Sequence, residues 1–351
     1  MSRLLTEKGP WFTKTGPEGD VVLASRVRLA RNLIEYPFPD NLSRDQERMV
    51  RDKLTEAFAK LPEGWNFTIL YLKDLSPLEK RLLLERNIVS QAFSLAQEKA
   101  LVLDDNQRLS ALFNEQDHLK LSSVREGLAL RGAFREADEL DSQLEEFLPF
   151  ACNLEWGYLN SSFLDLGTGM RASLMVHLPG LVAAGLIDGA LKVIAQVGLS
   201  VKGFFSRRKG SLGDIYQISN QVSLGLSEEE ILGSLGGVAK PLIDYERQAR
   251  EQLMEQKRVE LEDKVFRAWG ILSSCRSIGA REASTLLSRL RLGINLGLIE
   301  DVAPETVTSL FFFTQKSHVQ AASEPTQDEA VIDIQRASMI RERLTTKLGR
   351  V

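Results

Sequence analysis

Two arginines near the start of the chain alternate with apolar residues. In Ser25-Arg26-Val27-Arg28-Leu29, the period of two places both guanidinium groups on one face of a predicted strand. Convergent guanidinium groups can hold phosphate oxygens, because each offers paired donors that match a phosphate. Further along, Gly167-Thr168-Gly169 leads into Arg171, and its glycines let backbone amides approach an anion closely. Together these segments predict a phosphate site.

The same segments occur in a fixed order with two others. Residues 25–32 are followed by Asn114-Glu115-Gln116-Asp117-His118-Leu119, by residues 167–173 and by Tyr216-Gln217-Ile218-Ser219-Asn220. These motifs resemble, in order, those of the ATP:guanidino phosphotransferases, or phosphagen kinases. Residues 214–221 and the helical pattern of the C-terminal part are similar to the bacterial protein-arginine kinase branch. The resemblance covers nearly the whole chain.

The resemblance implies that ATP and Mg²⁺ bind at an arginine cluster and that phosphate passes to an arginine of a protein. The cations at the matching positions are Arg26, Arg28, Lys120, Arg171 and Lys202, and Arg207 or Arg208 could substitute beside Lys202. Both lysines stand where the family has arginine. A lysine keeps the positive charge but gives up the bidentate fork.

Three positions at which the family acts on the acceptor carry other residues here. A protonated guanidinium is a poor nucleophile, so the family uses a glutamate to aim the nitrogen and accept its proton. The matching residue is Gln116, an amide that cannot take up a proton at neutral pH. Ser162 stands where the family carries a cysteine, and residues 206–211 contain no acid where the family has a second glutamate.

These substitutions leave two interpretations open. In the first, the chain is an active kinase in which Asp214, Asp165 or Glu115 has taken over the role of the missing carboxylate. In the second, it is a catalytically degenerate pseudokinase that binds nucleotide or phosphoarginine as an adaptor or regulator. Glu115 is expected to lie on a strand beside Gln116, and there it would point to the opposite face.

A second binding segment is predicted near the C-terminus. Residues 333–338 resemble a phosphoarginine-binding segment of protein-arginine kinases, with Asp333 and Arg336 matching and Ile332 replacing a family arginine. An exposed helix face is the alternative for these residues. The resemblance also suggests a protein substrate or adaptor partner, a Clp-type protease system and a possible homodimer.

Hydrophobic periodicity predicts an α+β fold. The strands in the middle of the chain are expected to form antiparallel sheet, and the residues after about 267 a helical unit. The resemblance implies that residues 1–265 form a glutamine-synthetase/guanidino-kinase-like catalytic domain, an antiparallel β-sheet flanked by helices, followed by an all-helical domain over residues 266–351. Strands are predicted over residues 21–33, 66–72, 100–103, 109–113 and 118–121, with a hairpin over 201–206 and 215–224. Helices are predicted over residues 44–61, 77–95, 126–147, 173–185, 191–197, 227–264, 281–292, 303–312 and 328–348. Residues 317–326 read as a polar connection.

Composition excludes several classes of protein. With 351 residues, 43% of them hydrophobic, the chain can bury one or two cores, so disorder throughout is excluded. A net charge of -4 argues against a general nucleic-acid binder, which needs a basic face. Cys152 and Cys275 lack metal-like spacing, so no metal site through sulfur is expected. The charged N-terminus and the lack of a run of roughly 20 apolar residues favour a cytoplasmic protein without a membrane anchor.

Overall fold

A computed structural model describes residues 11–95, 98–204, 211–323 and 326–345. In these residues eight strands form one sheet of order β2-β3-β4-β5-β1-β8-β10-β9, and each pair of neighbours is antiparallel. The antiparallel sheet predicted from the sequence is therefore confirmed. The strands are β1 (Val22–Arg31), β2 (Phe67–Tyr71), β3 (Ala100–Asp104), β4 (Leu109–Phe113), β5 (Leu119–Glu126), β6 (Cys152–Asn153), β7 (Gly157–Tyr158), β8 (Met170–His177), β9 (Leu199–Gly203) and β10 (Ile215–Asn220). Strands β6 and β7 pair with each other apart from the main sheet.

Helices flank this sheet and make up the C-terminal part of the chain. They are α1 (Arg44–Ala59), α2 (Pro77–Glu85), α3 (Gln91–Leu95), α4 (Leu130–Glu145), α5 (Pro179–Ala183), α6 (Ile187–Gln196), α7 (Glu228–Gln256), α8 (Arg258–Ser274), α9 (Ala280–Asn295), α10 (Pro304–Phe313), α11 (Lys316–Ala322) and α12 (Glu329–Thr345). Ser43, Ser76 and Ser227 begin three of them with capping boxes, in which the serine hydroxyl accepts from a backbone amide of the first turn. The predicted boundary at residue 265 lies inside α8, and the division into two domains stays a prediction.

The two faces of the sheet carry different side chains, because alternate residues of each strand point to opposite faces. Val27, Leu121, Ala172 and Ile218 are buried in one core with residues of α1, α4 and α7. Residues directly opposite each other in an antiparallel pair project from the same face. The intervening residues, which include most of the predicted cations, therefore share the second face of the sheet.

The C-terminal helices pack against one end of this second face. Phe312 of α10 stacks on Phe12 with ring centroids 4.3 Å apart, and both belong to a cluster that includes Ala24 and Met175 of the sheet. Ala24 lies directly opposite Met175, and it precedes Arg26 by two residues on the same strand. The helical unit thus closes the end of the face that lies beside Arg26.

One predicted helix is a strand. Residues 173–185 were expected to be helical, but β8 runs to His177 in the middle of the sheet, and only Pro179–Ala183 form a helix. Most of β8 is buried on both faces, and its second half contains the uninterrupted apolar run Leu174-Met175-Val176 instead of a strand's alternation. Such a run cannot be distinguished from a buried helix by periodicity alone.

Four other predicted segments differ in the structure, two of them because left-handed backbone interrupts or delays the helix. The helix expected over residues 77–95 is interrupted after Glu85, where Asn87 has φ +55°. The one expected from residue 126 begins at Leu130, because Glu126 ends β5 and Gly127 has φ +65°. The long helix expected over residues 227–264 is divided at Lys257, and the polar connection over residues 317–326 contains α11.

Candidate functional site

Cations from three adjacent strands form a row across the second face of the sheet. Arg28 of β1 lies directly opposite Arg171 of β8, and Arg26 lies two residues away on the same face. Lys120 of β5 is opposite Ala30, which also shares that face. We call Arg26, Arg28, Lys120 and Arg171 the cation row. The structure therefore brings together cations from three segments that lie far apart in the sequence.

Of the remaining predicted phosphate-binding residues, the structure describes Lys202, which lies at the margin of this face. Lys202 is on the edge strand β9, directly opposite Gln217, and its side chain is exposed. Lys202 thus shares the face but lies at its outer edge. Arg207 lies outside the described residues.

Two adjoining pockets open along the cation row. The polar pocket is lined by Arg26, Arg28, Glu115, Lys120 and Ser122 together with residues 87–90. The mixed pocket shares five residues with it: Arg26, Asn87, Ile88, Ser110 and Ser122. Its other lining residues include Phe12, Val124, Met175 and Gln217. The charged polar pocket thus continues into the mixed pocket, whose walls are partly apolar.

Positive charge in the polar pocket exceeds what the described residues neutralise. Burial lowers the pKa of Arg26 and of Arg28, and each is lowered further by another arginine, Arg28 and Arg171 respectively. The Nε atoms of Arg28 and Arg171 are buried, and neither has a hydrogen-bond partner among the described residues. A bound anion would offset the repulsion, so these residues fit a polyphosphate.

Glu115 lines the polar pocket, and its predicted orientation was wrong. Strand β4 ends at Phe113, and Asn114 adopts φ +60°, so residues 114–118 form a loop rather than a strand. Glu115 consequently faces the cations and forms an ion pair with Lys120. Burial would raise the pKa of Glu115, but Lys120, the Ser90 hydroxyl and the backbone amide of Gln116 outweigh it and lower that pKa. The carboxyl group is therefore ionised at neutral pH.

Gln116 and Ser162 lie on neighbouring loops. The Asp117 carboxylate accepts from the Asn32 side chain at 2.7 Å and from the backbone N–H of Ser161 at 2.8 Å, which ties the loop of Gln116 to that of Ser162. The side chain of Gln116 is exposed. Ser162 is half-buried, and its hydroxyl accepts from the N–H of Leu164 at 3.3 Å. Two of the substituted family positions, Gln116 and Ser162, thus lie on adjacent loops at one edge of the site.

A glycine turn places Arg171. Gly167 has φ +92° and Gly169 has φ +63°, conformations that favour glycine. A Cβ at Gly169 would lie 2.6 Å from the carbonyl oxygen of Ala30, so the turn lies too close to β1 for a side chain at this position. The turn leads directly into β8, which pairs with β1, and the two strands set Arg171 beside Arg28.

Of the other acidic candidates, Asp165 lies near the cations and Asp214 does not. Asp165 is close enough to Arg28 to raise the pKa of that guanidinium, against the larger lowering by burial and Arg171. Asp214 is mostly buried and accepts a hydrogen bond from Ser288 of α9. Among the residues considered from the sequence, the carboxylates near the cation row are therefore Glu115, which lines the polar pocket, and Asp165, whose charge acts on Arg28.

The predicted phosphoarginine-binding residues lie on α12, where Arg336 is buried. Its Nε donates to the carbonyl oxygen of Thr314 at 2.7 Å, and its Nη1 donates to that of Ile278 at 2.8 Å. Nη1 also pairs with the Asp333 carboxylate. These bonds hold α12 to the ends of neighbouring elements, and the role in binding phosphoarginine stays a prediction.

Sequence patterns gave no indication of Asn87, whose backbone helps position the cation row. Its carbonyl oxygen accepts from Nη1 of Arg26 at 2.9 Å, and it lines both pockets. Only the tendency of asparagine to adopt left-handed backbone could have suggested a turn there.

His118 is structural, because its Nδ1 accepts from the N–H of Leu33 and its Nε2 donates to the carbonyl oxygen of Pro37.

The described part of the chain contains neither a candidate membrane span nor a cluster of metal ligands. Within it, no helix combines the length and the apolar character that crossing a bilayer requires. The same residues contain no group of three or more His, Cys, Asp and Glu side chains arranged to hold a metal ion. A magnesium ion is typically held by substrate phosphates with one or two carboxylates, and Glu115 and Asp165 are available for that.

Comparisons with known proteins cover nearly the whole chain. The family model for the ATP:guanido phosphotransferase C-terminal catalytic domain matches residues 49–249, and the model for the protein-arginine kinase McsB C-terminal domain matches residues 258–349. The protein-arginine kinase of Halothermothrix orenii is 40% identical over 337 residues, which are 95% of this chain and 96% of that one. The protein-arginine kinase of Bacillus subtilis is 38% identical over 341 residues, covering 97% and 94%.

Solved structures support the fold. A lombricine kinase superposes with a TM-score of 0.58 at 23% identity and covers 72% of this chain and 70% of its own. The duplicated taurocyamine kinase of Schistosoma mansoni, with bound transition state analog components, gives a TM-score of 0.61 at 20% identity and covers 76% of this chain and 39% of its own. The antiparallel sheet with flanking helices is therefore shared with guanidino kinases.

Proposed function

This chain belongs to the ATP:guanido phosphotransferase family and, within it, to the protein-arginine kinases, and we propose that it binds ATP with Mg²⁺ at the cation row and phosphorylates an arginine of a protein. The observation that carries the proposal is the grouping of three half-buried guanidinium groups, Arg26, Arg28 and Arg171, in which the pKa values of Arg26 and Arg28 are lowered and the Nε atoms of Arg28 and Arg171 have no hydrogen-bond partner among the described residues. Like charges held together in a folded protein destabilise it unless a ligand compensates them. A triphosphate is the ligand that suits the row.

The two pockets suit the two halves of a nucleotide. Arg26, Arg28, Lys120 and Arg171 would hold the phosphates, with lysine acting as a point charge and each arginine as a fork. The mixed pocket adjoins them, and Ile88, Val124 and Met175 supply apolar surface for a base. Magnesium would add charge neutralisation between the phosphates. Glu115 and Asp165 are the carboxylates placed to hold it or to meet the acceptor.

Glu115 is the residue that we assign to the acceptor guanidinium in place of Gln116. It faces the cation row from a loop, whereas the Gln116 side chain is exposed. An ionised carboxylate can orient a guanidinium through paired hydrogen bonds and accept its proton. Because Lys120 lowers the pKa of Glu115, the group is a weak base, and we expect orientation to be its larger contribution.

Direct detection of phosphoarginine tests the activity. The purified chain is incubated with ATP, Mg²⁺ and an arginine-rich protein, and the products are analysed by mass spectrometry without acid exposure. We expect phosphoarginine above a heat-denatured control, and we expect Glu115→Gln to reduce it by about two powers of ten or more. No product above the control would refute the kinase activity. An unchanged rate in Glu115→Gln would refute the role of Glu115.

A pseudokinase that acts as an adaptor or regulator is the second candidate. The observation that favours it is Gln116, because an exposed amide stands at the position of the family's acceptor-binding glutamate. In that case ATP would raise the thermal unfolding temperature without turnover. The Gln116→Glu variant separates the candidates, since a gain of phosphoarginine would show that the wild type lacks only this carboxylate.

We further propose that the chain works with a protein partner in the cytoplasm. The segment of Asp333 and Arg336 would bind phosphoarginine on that partner, and a Clp-type protease system or a second copy of this chain could be part of the assembly. Binding of a phosphoarginine peptide, compared with the same peptide carrying unmodified arginine, tests this. Equal affinity for the two peptides would remove the phosphoarginine site.

A further inference from the structure

Three consecutive residues link the C-terminal helices to the cation row. Glu85 accepts from the backbone N–H groups of Ser317 and His318 at the start of α11 and contacts Nδ1 of His318 at 2.9 Å. The next residue, Arg86, donates from Nε to Nε2 of His318 at 3.0 Å. The third, Asn87, accepts from Arg26 through its carbonyl oxygen at 2.9 Å. We call residues 85–87 the linking tripeptide.

The contacts of His318 require a neutral ring with one defined tautomer. Arg86 can only donate, so Nε2 must accept, and Nδ1 must carry the proton that it donates to the Glu85 carboxylate. The imidazole is 3% exposed, and burial lowers its pKa despite the opposing effect of Glu85. One ring therefore bridges a carboxylate and a guanidinium at fixed positions.

Arg86 depends on that ring more than a surface arginine would. Its side chain is 5% exposed, and burial lowers its pKa to about 10. Its Nη1 bonds to Gln107, whereas Nη2 is buried without a hydrogen-bond partner among the described residues. Losing the Nε2 acceptor would leave a second buried nitrogen of Arg86 unpaired. A buried donor without an acceptor lowers the stability of the fold by more than an ordinary lost hydrogen bond does. The guanidinium would then have to move toward solvent.

Such a movement would reach the pockets directly. Residues 86–88 line the mixed pocket, and residues 87–90 line the polar pocket. Asn87 holds a left-handed backbone with φ +55°, so its carbonyl direction is set by a narrow range of conformations. A shift of the tripeptide therefore changes the direction of the acceptor that holds Arg26.

We propose that His318 is a positioning residue for nucleotide binding, which acts from the C-terminal helices on Arg26 through the linking tripeptide. This role rests on the proposed function, because it presumes that the cation row binds ATP. Through this role, the C-terminal helices would affect nucleotide affinity although His318 itself does not contact the nucleotide. The tripeptide fixes both a wall of the pockets and one cation.

Two substitutions at His318 separate positioning from stability. The amide of His318→Asn reaches the position of Nδ1 and keeps the contact with Glu85, but it leaves Arg86 without an acceptor. The longer His318→Gln can place its Oε1 near the position of Nε2 and accept from Arg86. We expect the dissociation constant for ATP with Mg²⁺, measured by isothermal titration calorimetry, to rise about tenfold in His318→Asn and less than about threefold in His318→Gln.

His177 supplies the matched control. It is also a buried histidine that contacts the C-terminal helices, through Ser288 and Arg291, but it lies at the far end of β8 from Arg171. We expect His177→Asn to lower the thermal unfolding temperature and leave ATP affinity unchanged. Wild-type affinity in His318→Asn, or equal weakening in His177→Asn, would overturn the positioning role. No binding of ATP to the wild type would instead overturn the proposed function, and the role of His318 with it.

Discussion

Replacing Arg28 by glutamine should change stability and ligand affinity in opposite directions. Arg28 is half-buried beside Arg26 and Arg171, and its pKa is lowered because desolvation and Arg171 disfavour the charged form more than Glu115 and Asp165 favour it. Removing the charge therefore relieves a net electrostatic penalty in the free protein. We expect the unfolding temperature of Arg28→Gln without ligand to equal or exceed that of the wild type.

The same substitution should weaken ATP binding strongly. Hydrogen bonds between charged partners contribute about 1.5 to 3 kcal/mol, so the dissociation constant should rise about ten- to 150-fold. Calorimetric titration with ATP and Mg²⁺ gives the affinity, and thermal unfolding of the free protein gives the stability. Arg131→Gln is the control, because Arg131 has a side chain 70% exposed and pairs at the surface with Glu229, so neither quantity should change much.

Two results would refute this account of the cation row. A lower unfolding temperature for free Arg28→Gln would mean that its charge stabilises the protein, as in a structural ion pair. An unchanged affinity for ATP would mean that the row is a solvated face and that nucleotide binds elsewhere. Either result would remove the observation on which the proposed function rests.

Three further predictions follow from buried groups. The pKa of His177 is held well below its ordinary value by burial and nearby arginines, so the unfolded chain takes up the proton first. The free energy of unfolding should therefore fall below roughly pH 6.5, and the slope in His177→Gln should be smaller by about 1.4 kcal/mol per pH unit, as urea titrations would show. Gly169→Ala forces a Cβ to within 2.6 Å of the Ala30 carbonyl at φ +63°, and should lower both unfolding temperature and ATP affinity. Arg31→Met leaves the Asp141 carboxylate buried without its partner, and chemical denaturation should show a loss of about 3 to 5 kcal/mol.

How far the sequence predicts the site depends on whether a signal is local. Alternation in residues 25–29 placed Arg26 and Arg28 on one face, because a strand has a period of two wherever it lies. The ordered motifs added Lys120 and Arg171. In the structure, β5 and β8 pair with β1 on its two sides, which places Lys120 and Arg171 beside the arginines of β1. Glu115 was placed on the wrong face, because a single left-handed residue, Asn114, ended the strand early.

The sequence by itself determined the family, the antiparallel sheet and the cations of the row, since these follow from residue types, their order and their periodicity. Only the tertiary structure decided which carboxylate meets those cations and how the C-terminal helices reach Arg26. Both depend on loops, Glu115 in one and Asn87 in the other, whose directions are set by left-handed backbone and by hydrogen bonds to distant residues. Contacts between residues far apart in the chain leave no periodic pattern, so no local window of the sequence contains them.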